Sequence, residues 1–501
     1  MVVGVDAEPI TVEATARSAG DGTPRILGLV DATVREAYHR VLNAFFALGL
    51  PSPRGVTTVN FAPAAVRKHG SGFDLPLALA LAGAGGLFAP ERAHGLCAYG
   101  EVSLRGRLLP ARGILSIALM ARARGHATLL CSDTDAALCA GIDGLCVLGA
   151  PTLADAVYWV AGRRDLPPPP PRAPAPNVHH PDLDDIRGHE TQKRALCVAA
   201  AGGHNLLFVG PPGSGKSALC RRMAGLLPEP EAAEWWQILQ VHAAAGLCEP
   251  PRTARPLRAP HHTSSCASLL GGGSEVRPGE VTLAHHGVLF LDELAEFRRD
   301  ALEALRQPLE DGVVTVGRAR GTVTMPASFT LLTAMNPCPC GYLGHPARPC
   351  TCTPPAVQRY RARLSGPLLD RLDLQVEVPA LDATVLRRPR DRAQSTATLR
   401  ERVLAARERQ RQRTPGAATT TINARLADRE LERACRTSDR VEDALDAVLR
   451  LHRAGGRARI RLLRVARTLA DLDDRDELRA EDVLEAAALR GFARQTALLP
   501  P

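Results

Sequence analysis

The sequence predicts an α/β fold in which an N-terminal α/β domain precedes a parallel-sheet core and a helical C-terminal region. Three observations carry this. Residues 210–217 read GPPGSGKS, a glycine loop entered by the short apolar run 205–210 (NLLFVG) and left by the helical pattern 217–224. Residues 287–293 (GVLFLDE) form a second buried strand, this one ending in two carboxylates. From Ala380 onward the chain is rich in Ala, Arg, Leu and Glu, the composition of helices.

The N-terminal domain is assigned to residues 1–164. It contains the strand-like run 55–62 (GVTTVNFA) and helical patterns over 32–50 and 75–83. Residues 165–177 (DLPPPPPRAPAPN) are a proline-rich, semi-rigid spacer. The core then spans 178–380: residues 182–203 give a turn and an amphipathic helix, followed by the glycine loop. The helical region takes 381–501.

Bulk composition narrows the class. A length of 501 residues suggests about three domains. No apolar run of membrane-spanning length occurs, and MVVGVDAEPI lacks a basic, then apolar, leader, so the chain reads as soluble and cytoplasmic, without a membrane partner. The 13 cysteines mostly lie singly in apolar stretches, unlike a secreted disulfide framework. The net charge is +9, and from Ala380 onward 26 arginines face 19 acidic residues. A polyanionic partner and a helical face laced with ion pairs both fit that surplus.

Lysine sharpens the glycine loop. Among 62 Lys+Arg residues only Lys68, Lys193 and Lys216 are lysine, and Lys216 is the loop's. An ammonium is a compact point charge that fits between phosphates in a tight loop; a planar guanidinium is not. Gly210, Pro211, Pro212, Gly213, Ser214, Gly215, Lys216 and Ser217 are therefore the expected cradle for the phosphates of a nucleoside triphosphate. Such chemistry needs Mg²⁺, expected between Ser217 and Asp292, and a carboxylate to orient the attacking water, expected at Glu293. A third strand, 329–335, ends in Asn336, whose amide is placed to hold the γ-phosphate or that water.

Two further segments carry chemistry. Residues 309–327 read as a β-hairpin with Arg318 and Arg320 near its tip. Cys338, Cys340, Cys350 and Cys352 form two C-x-C pairs in a Gly/Pro-rich insert over 338–352. That pattern suits four thiolates around Zn²⁺ in a reducing compartment. His345 as a substitute ligand, free thiols and a redox switch remain open.

Beyond these signatures, FDLPLALALAG, RAPHHTSS, PGEVTLAHHGVLFLDEL, LRQPLEDG, AMNPCPCG and SGPLLDRLDL are similar to the YifB/ComM family of magnesium-chelatase-like AAA+ ATPases, across nearly the whole chain. The resemblance implies a Lon-protease-like (S5 domain 2-like) N-terminal domain, an AAA+ P-loop core and a C-terminal helical lid, with ATP and Mg²⁺ as cofactors. It implies that Arg371 is an arginine finger serving a neighbouring subunit, that Arg457 is the lid's sensor arginine, and that the chain forms a homohexamer. It places the hairpin in a ring pore, where Arg318 and Arg320 would meet single-stranded or branched DNA; an ordinary exposed turn is the alternative. The implied activity is ComM-like branch migration during DNA recombination and natural transformation. A chelatase-type ATPase that remodels a protein partner is the competing function. Proteolysis is not expected: Ser71 lies where a Lon-like nucleophile would, but Leu115 stands where the paired lysine belongs, and no lysine occurs between Lys68 and Lys193. Three His-His pairs (179–180, 261–262, 285–286) are expected to be structural or conformational.

Overall fold

The computed structural model describes residues 1–17, 24–53, 55–169, 180–247, 254–272, 276–318, 321–387, 389–413 and 422–491. Arg320, the side chain of Arg318, His179 and residues 170–177 of the spacer lie outside the described residues. The chain divides into two compact units: Met1–Ala175 with Leu239–Pro251, and Pro176–Ile238 with Arg252–Pro501. The segment Leu239–Pro251 joins the first unit through Gln240, which donates to the Val5 carbonyl at 2.7 Å, and through Arg112, which donates to the Ala244 carbonyl at 2.8 Å. Nothing local in the sequence announces those two hydrogen bonds.

In the first unit, a short antiparallel pair (Val2–Val3 with Asp6–Ala7) is followed by β1 (Thr11–Arg17), β2 (Arg25–Leu27), α1 (Ala32–Ala47), β3 (Val56–Ala62) and α2 (Asp74–Ala84). They are followed by β4 (Cys97–Ala98), α3 (Ile114–Ala123), β5 (Thr128–Ser132), α4 (Asp133–Cys139), β6 (Cys146–Ala150) and α5 (Leu153–Val160). β3 lies between antiparallel β1 and parallel β2, while β5 lies between β4 and β6 in a second, parallel sheet. Asp31 starts α1 by accepting from the Val34 N–H at 2.9 Å. The helix stops at Ala47, short of the expected Leu50, because Gly49 turns left-handed (φ 65°). α2 is apolar all round and therefore buried, with Leu75, Leu77, Leu79 and Leu81 in the core. Its first residue, Asp74, is buried and held bidentately by Arg40 at 2.8 and 3.0 Å, which gives the FDLP phrase a structural role.

The second unit contains α6 (Glu190–Gly202), β7 (Leu206–Val209), α7 (Lys216–Arg221), β8 (Leu257–Arg258), β9 (Val288–Leu291), β10 (Val313–Arg318), β11 (Gly321–Pro326), β12 (Thr330–Met335), α8 (Pro354–Arg361) and β13 (Leu374–Glu377). The helical region adds α9 (Thr396–Arg413), α10 (Asp428–Cys435), α11 (Asp439–Leu451), α12 (Gly456–Leu472) and α13 (Ala480–Leu489). The sheet is wholly parallel in the order β8–β9–β12–β7–β13. Its central strands are buried on both faces and so read as continuous apolar runs rather than alternations. β10 and β11 pair antiparallel, the hairpin expected over 309–327.

The helical region is knitted by a buried polar network. Asp471 on α12 is almost fully enclosed and accepts from Arg413, from Asn423 at 2.8 Å and from Arg467 at 2.9 and 3.1 Å. Arg467 is itself only 1% exposed, so its charge has no water to fall back on. Asp471→Asn strands two guanidiniums and should lower the unfolding free energy by about 3–5 kcal/mol. Urea unfolding followed by circular dichroism measures this. A change under about 1 kcal/mol would mean that the network is not the lid's anchor.

Candidate functional site

The glycine loop leaves β7 at the carboxyl edge of the sheet, where the chain runs from β7 toward β8 on one side while β12 connects to β13 on the other. Such a switch point opens a crevice above the strand ends. The loop's base is fixed by Gly210 N–H donating to the Met335 carbonyl at 3.2 Å and Val378 N–H donating to the Val209 carbonyl at 2.8 Å. Gly213 and Gly215 are left-handed (φ 75° and 91°), which curls the loop before α7 begins at Lys216.

Lys216 is buried, and its ammonium donates to the carbonyls of Gly210 and Pro211 at 2.7 Å each and to Asn336 Oδ1 at 3.2 Å. Burial lowers its pKa below the ordinary lysine value; the charge of Asp292 is the chief opposing influence, with Glu293 contributing. Thus Lys216 and Asn336 are in contact, and the carboxylates at the end of β9 lie within electrostatic reach. Ser214 Oγ is buried without a partner. A curled loop with an enclosed ammonium and an unpartnered hydroxyl fits a phosphate group. Half-buried Ser217 and Asp292 are the residues that would hold its Mg²⁺.

Glu293 is exposed and left-handed (φ 53°), its N–H donating to Asp292 Oδ1 at 3.0 Å. Its carboxylate lies 3.2 Å from Nδ1 of His262. His262 is therefore a site residue that sequence reasoning missed as such, because the contact joins a loop residue to a strand end 31 positions later. The pair 285–286 behaves differently. Burial pushes His285 down to about 2 and His286 to about 4, and both rings share Gln237 Oε1, at 3.2 and 2.5 Å. They are neutral packing groups. His189, also missed, is buried beside the loop, its Nδ1 unpartnered.

Arg371 and Arg457 are not gathered with Lys216. Arg371 donates to the Pro367 carbonyl at 2.8 Å and pairs with Glu310; its guanidinium, followed by the charge of Arg457, holds the Glu310 carboxyl below its ordinary value. Arg371 precedes β13, and Asn205 fixes it there, its amide donating to the Arg371 carbonyl at 2.9 Å while its Oδ1 accepts from Leu331 N–H at 2.8 Å. Asn205 precedes β7, so this cluster sits at the amino edge of the sheet. Four residues of strand, roughly 13 Å at about 3.3 Å each, separate that edge from the loop. Asn205 is a second residue whose role the sequence did not disclose.

Among the described residues the only grouping with metal-ligand geometry is Cys338, Cys340, Cys350 and Cys352, whose sulfurs all lie within 4.8 Å of one another. In the first unit, Ser71 has no amine partner among the described residues, and Lys68 is buried with its ammonium on the Pro63 carbonyl, which leaves no Ser–Lys dyad. No helix among the described residues is long and apolar enough to cross a membrane.

Residues 182–386 match the family profile described as magnesium chelatase, subunit ChlI; residues 12–135 match subunit ChlI of Mg-chelatase, and 393–490 match the ChlI C-terminal profile. The chain is 39% identical over 498 residues to the uncharacterized protein YifB of Escherichia coli, covering 98% of this chain and 96% of that protein. It is 37% identical over 503 residues to the competence protein ComM of Haemophilus influenzae, again covering 98% and 96%. The magnesium-chelatase 67 kDa subunit of Chlorobaculum parvum is 29% identical over 157 residues, 30% of this chain and 23% of that protein.

Lys216→Met replaces a buried cation with an apolar chain of similar length, a swap that is often neutral for folding. At ATP·Mg²⁺ 100-fold above its Kd the wild type should gain about 2.7 kcal/mol of stability, and the variant none. Thermal unfolding with and without nucleotide reads both. Equal gains would remove Lys216 from the site.

Proposed function

The chain belongs to the YifB/ComM family of magnesium-chelatase-like AAA+ proteins, and from that membership we propose that it is an ATP-hydrolysing ring motor acting on DNA. The observation that carries the ring is the placement of Arg371. Its own subunit's phosphate loop lies across the sheet, so a phosphate contact by this guanidinium is most readily made to a neighbour. Closed repetition of that heterologous contact gives a ring, here a homohexamer.

Within one subunit the loop N–H groups and Lys216 bind the phosphates, while Ser217 and Asp292 hold Mg²⁺, which when bound neutralises charge on the phosphate oxygens. Glu293 orients the attacking water and receives its proton, His262 fixes that carboxylate, and Asn336 aligns the water or the γ-phosphate. Arg371 reaches the next subunit's nucleotide, and Arg457, whose charge also acts on Glu310, serves as the lid's sensor arginine. The Glu310 pair is no obstacle, since an exposed ion pair is worth only about 0–1 kcal/mol.

The DNA assignment is supported by full-length similarity to a protein named for competence and by a β10–β11 hairpin whose tip sequence carries Arg318 and Arg320. The specific activity proposed is branch migration of single-stranded or branched DNA in recombination and natural transformation. A chelatase-type role, in which the ATPase remodels a protein partner, is favoured by the magnesium-chelatase profiles and by the shorter match over 157 residues.

Two measurements test this reading. DNA should stimulate ATP hydrolysis, and Glu293→Gln should lower turnover about 10²- to 10⁴-fold while nucleotide still binds; hydrolysis indifferent to every form of DNA would favour the protein-remodelling reading. Arg318→Ala/Arg320→Ala should weaken DNA binding with nucleotide affinity kept. For the shared site, Lys216→Ala and Arg371→Ala subunits, each inactive alone, should regain partial activity when mixed, because a mixed interface can pair an intact loop with an intact arginine. Mixtures that stay inactive would refute supply in trans.

A further inference from the structure

The cysteine insert is built unlike the other cysteines of the chain. Cys131, Cys139, Cys197, Cys220 and Cys435 are buried among apolar side chains, where a thiol acts as a small hydrophobe. Cys338, Cys340, Cys350 and Cys352 instead converge in a Gly/Pro-rich turn, and three of the four are only half buried. Their sulfurs lie 3.4 Å (338 to 340), 3.6 Å (338 to 350) and 3.5 Å (340 to 350) apart. A tetrahedral ion with zinc–sulfur bonds of about 2.3 Å sets its ligands about 3.8 Å apart. Two backbone donors face the cluster: Cys340 N–H lies 3.3 Å from Cys352 Sγ, and Cys352 N–H lies 3.4 Å from Cys350 Sγ. Such donors are the outer hydrogen bonds that metal-bound thiolates use. His345 is turned to another task, its Nδ1 accepting from the N–H groups of Ala347 and Arg348 at 3.1 Å each.

The insert also touches the nucleotide loop. Gly341, left-handed at φ 83°, packs so closely on Pro212 that a methyl group there would come within 2.6 Å of the proline Cδ. Asn336, which contacts Lys216, stands two residues before Cys338. Nε of Arg361, on α8, reaches the Pro337 carbonyl at 3.4 Å.

We propose that the four cysteines bind one zinc ion as thiolates, and that this clip seats the turn 336–341 against Pro212, so that metal occupancy governs nucleotide affinity. On binding, four thiols release four protons and form four zinc–sulfur bonds, with no change of oxidation state. The linkage rests on the phosphate-binding reading of the Lys216 loop; the metal site does not.

Full-length protein purified under reducing conditions should contain one zinc per chain by mass spectrometry, and Cys350→Ser should lose it while Cys146→Ser, at an exposed site in the first unit, keeps it. Stripping the wild type with a chelator gives a metal-free sample without mutation, and circular dichroism confirms that it stays folded. A fluorescent ATP analogue should bind the stripped protein about tenfold more weakly, with recovery on adding zinc. Gly341→Ala should keep zinc yet bind the analogue more weakly. Absence of metal, or iron in its place, overturns the zinc assignment. Equal nucleotide affinity with and without zinc overturns the linkage. Failure of the zinc-loaded wild type to bind nucleotide defeats the phosphate-loop reading and the linkage with it, leaving the metal site standing.

Discussion

The rest of the site is arranged around one buried ammonium. Lys216 is enclosed in a loop whose nearest acceptors, the carbonyls of Gly210 and Pro211, come from the loop itself. Burial weakens the lysine's hold on its proton, opposed chiefly by the charge of Asp292, while the groups its ammonium bonds directly are neutral. A phosphate oxygen would replace neutral acceptors with a charged one, and charge-assisted hydrogen bonds are roughly twice as strong. The loop is thus held in a shape that an anion completes. A chain that otherwise uses arginine for nearly all of its positive charge keeps a lysine here because five rigid N–H groups could not be satisfied in that volume.

The parallel sheet turns this local fact into a division of labour. Strands β7, β9 and β12 deliver the loop, Asp292 with Glu293, and Asn336 to one edge, while Arg371 and its anchor Asn205 occupy the other. Four residues of strand keep the two sets apart. Arg371 therefore has the length of a strand between it and its own subunit's phosphate loop.

The sequence disclosed what is local and periodic. The glycine loop, the carboxylates after β9 and the amide after β12 each follow from a strand and the residue that ends it. The hairpin and the clustering of the four cysteines were legible for the same reason. What stayed hidden depends on contacts between distant positions: Glu310 on Arg371, His262 on Glu293, Asn205 on two strands, and Leu239–Pro251 in the first unit. The basic C-terminal surplus shows the same limit. On α9, Arg402, Arg409, Arg411 and Arg413 pair with Asp473, Asp474 and Asp476, Glu408, and Asp471, while Arg407 donates to the Ala200 carbonyl. Ion pairs within the fold thus engage these arginines.

If α9 holds its charges within the subunit, a phosphate backbone would meet other cations, and the sequence sets Arg318 and Arg320 at the junction of the β10 and β11 runs. One such tip offers two cations, too few for firm nonspecific binding on their own. Repetition changes the sum: six tips around a ring would present twelve, and each phosphate neutralised releases counterions. Strength on DNA would then depend on assembly, and assembly on the same Arg371 contact that completes the nucleotide site. On the proposed ring, the ammonium in its loop and the guanidinium across the sheet would be two halves of one site.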